Sequence, residues 1–176
     1  MKIFIAGPRA ISALGKPVED RLFGIYENNY SVLVGDANGV DKAIQKYFAN
    51  LKYQNVIVYS SNGKVRNNLG SWQVEPVSVS DTVKGFDFYA MKDKAMADNA
   101  DYGFMLWNGE SKGTLNNIIT LLNNNKKVLV YFLPQNTFVC ISNFEKLNEL
   151  LNYCANDTRA LYSQLTTTSH TQLALF

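Results

Sequence analysis

Short apolar runs alternate with stretches of helical period along most of this chain. The runs occupy residues 2–6, 31–34, 55–59, 101–107 and 127–132. Each is rich in Val, Ile, Leu or aromatic residues and is apolar at both parities, the pattern of a strand buried on two faces. A glycine-bearing turn and then a helical period follow, at 17–28, 40–50, 86–99 and 114–124. Pro17 suits a first helical turn, Asp36 or Asn38 can cap the second helix, and Asn123 to Asn125 can stop the fourth. Repeated βα units of this kind predict a parallel sheet with helices on both faces.

Two stretches depart from the rhythm. Residues 60–81 are rich in Asn, Gly and Ser and predict a long excursion above the sheet. After Pro134 an edge strand is expected at 137–141, with helices at 144–153 and 157–165; residues 166–171 (TTTSHT) read as a polar spacer before an apolar end, QLALF. The expected organisation is a domain over 1–132, a strand and helix appendage over 133–165, and a flexible tail over 166–176.

Composition narrows the function. With 176 residues, 47% apolar and 18% charged, the chain suits one compact domain. Seventeen Lys plus Arg against fifteen Asp plus Glu leaves +2, too balanced for bulk electrostatic attachment to DNA or an anionic membrane. One histidine and two cysteines without a CxxC exclude the common zinc sites and a disulfide framework, so no metal is expected. No apolar run approaches the roughly 18 residues of a membrane span, and none resembles a signal-peptide core. The expectation is a protein of the reduced cytoplasm that requires no cofactor.

In an open parallel sheet the βα loops share one rim, and ligands bind there at the topological switch point. Three loops are candidates: Gly7-Pro8-Arg9, then Gly35 to Asp41, then Asn108 to Thr114. Each places small residues beside a helix start, where free amides and the helix dipole favour an anion. Arg9 can clamp phosphate, Ser111 and Thr114 can donate hydroxyls, and Asp36 or Asp41 can accept from a ribose. The alternative is that the glycines only permit tight turns, with Asp36 and Asp41 as cap and first-turn charge. No GxGxxG or GxxxxGK[ST] occurs, so neither the dinucleotide fingerprint nor a Walker loop is present.

Taken in order, AGPRAI, VLVGDANGVDKAIQKYF, KVRNN, AMKDKAMADNADYGFMLWNGESKGTLNNI and KKVLVY resemble the SLOG superfamily of Rossmann-like nucleotide-ligand domains. The likeness covers about residues 1–132. It is nearest the YspA-like branch, which is related to the DNA-processing protein DprA and the lonely-guy phosphoribohydrolases. The resemblance implies an α/β, Rossmann-like doubly wound, mainly parallel sheet. It also implies a pocket for a nucleotide, such as a nucleoside phosphate or an ADP-ribose-like molecule. The implied lining is Gly7, Pro8 and Arg9; Gly35, Asp36, Asn38, Gly39 and Asp41; Arg66, Asn67 and Asn68; Lys92 and Met96; and Ser111, Gly113, Thr114, Asn116 and Asn117.

Phosphoribohydrolases resembling this family carry Glu after the Gly-Thr of the third loop, where this chain has Asn116 and Asn117. Asparagine can orient a sugar hydroxyl but is neither nucleophile nor base. Glu110 and Asp93 are the remaining carboxylate candidates for N-glycosidic cleavage; their alternative reading is a solvated loop charge and a surface helix charge. Binding or sensing a nucleotide-type ligand is therefore the leading expectation, with hydrolysis as the rival. DprA-like binding of single-stranded DNA is a further alternative, through Lys64, Arg66, Lys92, Lys94 and a stacking Trp72. Phe86 and Tyr89 can serve a homodimer interface or the core.

The final residues, Gln172, Leu173, Ala174, Leu175 and Phe176, resemble the bacterial sliding-clamp-binding motif. In that motif the apolar side chains enter pockets of the clamp while the glutamine amide fixes register. The alternative is a tail that folds back on its own domain.

Overall fold

A computed structural model describes the backbone of residues 1–173 and the side chains of residues 1–167. Among the described residues, seven strands form one sheet. In chain order these are β1 (Lys2–Ala6), β2 (Ser31–Gly35), β3 (Val56–Ser61), β4 (Gln73–Val77), β5 (Tyr102–Trp107), β6 (Val128–Phe132) and β7 (Thr137–Ile141). The helices are α1 (Lys16–Glu27), α2 (Val40–Asn50), α3 (Gly85–Asn99), α4 (Lys112–Asn123), α5 (Phe144–Leu151) and α6 (Asn156–Leu173). The spatial order is β4-β3-β2-β1-β5-β6-β7, parallel throughout except for the antiparallel β6–β7 edge pair. The chain winds outward from β1 to β4, then returns to the other side of β1 with β5. The fold is the expected α/β, Rossmann-like arrangement, and its switch point lies between β1 and β5.

Strand alternation sorts the core into two layers. Ile3, Ile5, Val32, Val34, Val56, Val58, Phe104 and Leu106 meet Val18 and Leu22 of α1 and Ile44 and Phe48 of α2. Phe4, Leu33, Tyr59, Met105 and Trp107 face the other way, against Met96 and Ala97 of α3 and Leu115, Ile118 and Ile119 of α4. Residues 133–165 share this second layer: Ile141, Leu147, Leu150 and Leu151 are buried in it, and Leu161 and Leu165 pack against it.

Three expectations change. The 60–81 excursion contains β4, parallel to β3 with Ile57 opposite Gln73 and Ser61 opposite Val77. It is a mostly exposed edge strand, so no apolar alternation announces it, and the edge tolerates Pro76. Residues 166–171 are not a spacer but part of α6. Thr166 Oγ1 donates to Tyr162 O at 3.0 Å and Thr167 Oγ1 to Ser163 O at 2.8 Å, so these hydroxyls are satisfied along the helix itself. Neither Asp36 nor Asn38 caps α2; Gly39 holds that position, at φ +81°. A Cβ there would collide with the Arg9 backbone, so only glycine lets the first and second loops meet. The proposed clamp motif lies at the end of the chain: Leu175 and Phe176, and the side chains of Gln172 and Leu173, fall outside the described residues. Among the described residues no helix is long and apolar enough to cross a membrane.

Candidate functional site

A cavity of about 410 Å³ opens at the carboxyl edge of the sheet beside the switch point. Ala6, Gly7 and Arg9 bound it after β1, Ala37 and Asp41 after β2, and Ser111, Gly113, Thr114, Asn116 and Asn117 at the start of α4. Gly85, Phe86, Tyr89, Ala90, Lys92 and Asp93 of α3 form the opposite wall. The first, second and third loops, separate in sequence, thus meet on one hollow.

The α4 end is built to present donors. Ser111 is its N-cap: Ser111 Oγ accepts from Thr114 N at 3.4 Å and from Thr114 Oγ1 at 3.0 Å. The first helical hydrogen bond is donated by Leu115 N to Ser111 O, so the amides of Lys112 and Gly113 precede it. No acidic residue occupies this first turn, and open space stands where a Gly113 side chain would be. One turn on, Asn117 is only 4% exposed and lines the cavity, yet its carboxamide has no hydrogen-bond partner among the described residues. Its amide and carbonyl atoms are open to the cavity, so they can donate to and accept from a group bound there.

Opposite the α4 start lies a buried charge cluster. Lys92 is 3% exposed and its ammonium donates to Asp93 Oδ1 at 2.8 Å. Burial opposes its charge, but the Asp93 and Asp41 carboxylates outweigh that and hold the ammonium above its ordinary range. Asp41 is buried at the cavity wall, and burial is the main cause that raises its carboxyl to about 6, against the opposing pull of Lys92. Asp41 Oδ2 accepts from Ala37 N at 3.2 Å. Gly35 has no room for a Cβ, because the Asp41 carboxylate and the Lys92 ammonium fill that place.

Asp36, also buried, is committed elsewhere. Arg66 grips it through Nη2 to Oδ1 at 2.6 Å, Nε to Oδ2 at 3.0 Å and its backbone amide to Oδ2 at 3.1 Å. Burial pushes the Asp36 carboxyl up, but these bonds prevail and hold it below the usual carboxylate range. Asn67 adds donors to Asp36 O and Asn38 Oδ1, and Asn68 brackets Trp72 through its backbone N and O. Buried Gln45 closes this arrangement by donating to Gly35 O and Asn67 O and accepting from Leu69 N. Arg66, Asn67 and Asn68 therefore build the rim rather than the cavity wall.

An aromatic and cationic lip completes the site. The Arg9 guanidinium lies 4.4 Å and that of Arg66 5.3 Å from the Tyr89 ring centroid, while Lys112 Nζ is 4.2 Å from that of Phe86. Phe86 and Tyr89 thus line the cavity instead of filling the core. They recur at i, i+3 after Gly85, a spacing that also fits an ordinary buried face, so sequence does not separate the two roles.

Other expected residues fall away from the hollow. Met96 is 1% exposed within the core. Pro8 is buried, its carbonyl accepting from Val40 N and Ile11 N. Glu110 is exposed and outside the cavity lining, whereas Asp93 lines it while paired to Lys92. Trp72 is 6% exposed with its indole donating to Tyr53 O, so it offers no stacking face; Lys94 is exposed and paired with Asp98.

The arrangement can hold an anion at α4, a flat ring against the Tyr89 and Phe86 side, and hydroxyl or amine groups between Asn117 and the carboxylates. No family model and no curated protein matches the chain. A solved structure of DNA processing protein A from Helicobacter pylori, described for its single-stranded DNA binding mode, is similar with a TM-score of 0.59 at 15% identity. The likeness covers 96% of this chain and 81% of that one. In fold, the chain is similar to that DNA processing protein.

Proposed function

We propose that this protein binds a phosphorylated nucleoside or nucleotide-derived ligand in the switch-point cavity, as its SLOG-like sequence blocks imply. The observation that carries the reading is the Asn117 carboxamide, without a hydrogen-bond partner among the described residues and open to the cavity, beside the open start of α4. Phosphate oxygens would take the Lys112 and Gly113 amides, with Arg9 closing over them. Asn117 and the Asp93 carboxylate would receive ribose hydroxyls, and the base would lie toward Phe86 and Tyr89. Thermal denaturation with nucleoside phosphates and ADP-ribose tests this. A stabilising shift is expected, with affinity weakened about tenfold in Arg9→Ala and in Asn117→Ala, the scale of one charge-assisted or buried hydrogen bond. Absence of any shift across that panel would overturn the reading.

A second reading, contact with single-stranded DNA, is favoured by the likeness to the Helicobacter pylori protein and by the Arg9, Tyr89 and Arg66 lip. Such a lip can pair a stacking ring with backbone charge. Fluorescence anisotropy with a labelled oligodeoxynucleotide should then show affinity that falls steeply with salt and is lost in Tyr89→Ala. Recruitment by a sliding clamp through Gln172, Leu173, Leu175 and Phe176 is a separate proposal. It is checked by pull-down with and without residues 172–176.

A further inference from the structure

The sheet ends in two edge strands of opposite character. β4 carries Glu75 and Pro76, a charge and a residue without an amide hydrogen, both of which discourage pairing with another chain. β7, Thr137-Phe138-Val139-Cys140-Ile141, has no charge, proline or glycine, and of its residues Ile141 alone is buried.

The ladder register identifies which backbone groups of β7 are free. Gly103 N donates to Lys127 O at 3.0 Å, so the main-chain groups of Lys127, Leu129 and Tyr131 point toward β5 and those of Val128, Val130 and Phe132 toward β7. Opposite the latter three stand Ile141, Val139 and Thr137, which therefore bond back to β6. Phe138 and Cys140 remain. Their N–H and C=O groups point away from the sheet and have no partner among the described residues. Side chains alternate in step. Phe138 and Cys140 face the α1 layer, where the Phe138 ring lies 4.8 Å from that of Tyr131 and Cys140 is exposed. Val139 faces the other layer, which holds Leu147 of α5. The exposed side of α5 carries Glu145, Lys146 and Glu149.

We propose that β7 is a dimer edge, pairing antiparallel with β7 of a second copy of this chain about a two-fold axis at Val139. Phe138 of each copy then lies opposite Cys140 of the other, and their outward N–H and C=O groups satisfy one another. Val139 meets its own copy in a close, non-hydrogen-bonded pair, and on the opposite face a phenyl ring lies beside a thiol. The same axis sets the two α5 helices side by side over the joined edge, where Lys146 of each meets carboxylates of the other. A foreign strand could use the same backbone groups, but an edge that is self-complementary in hydrogen bonds and in charge fits a copy of itself. Phe86 and Tyr89 line the cavity, so this contact does not draw on them. The inference is independent of the nucleotide reading.

Sedimentation velocity of the full chain across micromolar concentrations tests it, with a dimer expected. Cys140→Lys places a charge on an exposed edge position and should weaken the dimer about tenfold or more. Cys140→Pro removes an amide that bonds nothing within the chain and should do the same with a native circular dichroism spectrum. Gln73→Lys, the same charge on β4, should change nothing. Crosslinking reads the register without weakening the contact. In a Cys140→Ser, Cys154→Ser background, Val139→Cys should form an intermolecular disulfide on mild oxidation, because Cα atoms of such a pair lie about 4.5 Å apart. Cys140 in Cys154→Ser lies diagonal to its copy at about 7–8 Å and should not. A chain that stays monomeric, whether or not another protein pairs with its edge, would overturn the inference. So would a dimer that resists both Cys140 substitutions, dissociates in Gln73→Lys, or fails to crosslink through Val139→Cys.

Discussion

Lys92→Met is expected to destabilise the fold by about 3–5 kcal/mol at pH 8, the scale of a buried ion pair that loses one partner. Lys92 is the cation that faces Asp41, Asp93 and, at longer range, Asp36. Methionine matches its stem in length and packs in the same channel, so the loss measured would be electrostatic rather than a cavity. Without the ammonium, Asp41 stays buried with another carboxylate, Asp93, as its neighbour. Urea unfolding at pH 8 reads the effect directly. A second substitution, Asp41→Asn, should recover a large part of the loss, because removal of a buried pair as a unit costs less than removal of one member. An unchanged unfolding midpoint in Lys92→Met would show that the carboxylates are not balanced by this lysine.

The fold was legible wherever burial leaves a periodic trace. β1, β2, β3, β5 and β6 are covered on both faces and read as continuous apolar runs, and α2 is bounded as its periodicity predicts. β4 left no trace, since an exposed edge strand carrying Glu75 and Pro76 has no face to keep apolar. The 166–171 stretch misled for a related reason. Threonines and serines usually compete with helix through local hydrogen bonds, but here Thr166 and Thr167 spend those bonds on carbonyls of their own helix.

The site was legible in its loops and obscure in its walls. Rim glycines and Arg9 stand out because βα loops converge by topology, whatever the side chains between them. Met96 and Lys92 lie four apart on α3, yet one fills the core and the other ends among carboxylates beside the cavity. Sequence gives their helix face but not which end of that face the sheet leaves open. Arg66 and Trp72 show the same limit. A cation and an indole six residues apart read as a nucleic-acid surface, but Asp36 consumes the first and the Tyr53 carbonyl anchors the second. The aromatic contribution comes instead from Phe86 and Tyr89, which sequence left between core and interface.

The protein should grow more stable as pH falls from 7 to 4, contrary to the usual acid trend, and Asp41 is the cause. Its carboxyl is raised in the folded state to about 6 from 3.8, while the unfolded chain keeps the ordinary value. A raised folded value favours folding below the unfolded one, and that advantage disappears as pH rises through about 6. The displacement corresponds to on the order of 3 kcal/mol between pH 4 and pH 7. The neighbouring groups do not mask it. Asp36 is held below its ordinary range, so the stability it contributes persists until pH falls below the unfolded value. Lys92 is held above its ordinary range and stays charged throughout this window. Urea unfolding midpoints from pH 4 to 7 should therefore decline with rising pH in the native protein and stay nearly level in Asp41→Asn; a level profile in the native protein would contradict the raised carboxyl. Protonation also removes a negative charge from the wall facing α4, so any anionic ligand should bind more tightly at pH 5 than at pH 8, and Asp41→Asn should abolish most of that difference.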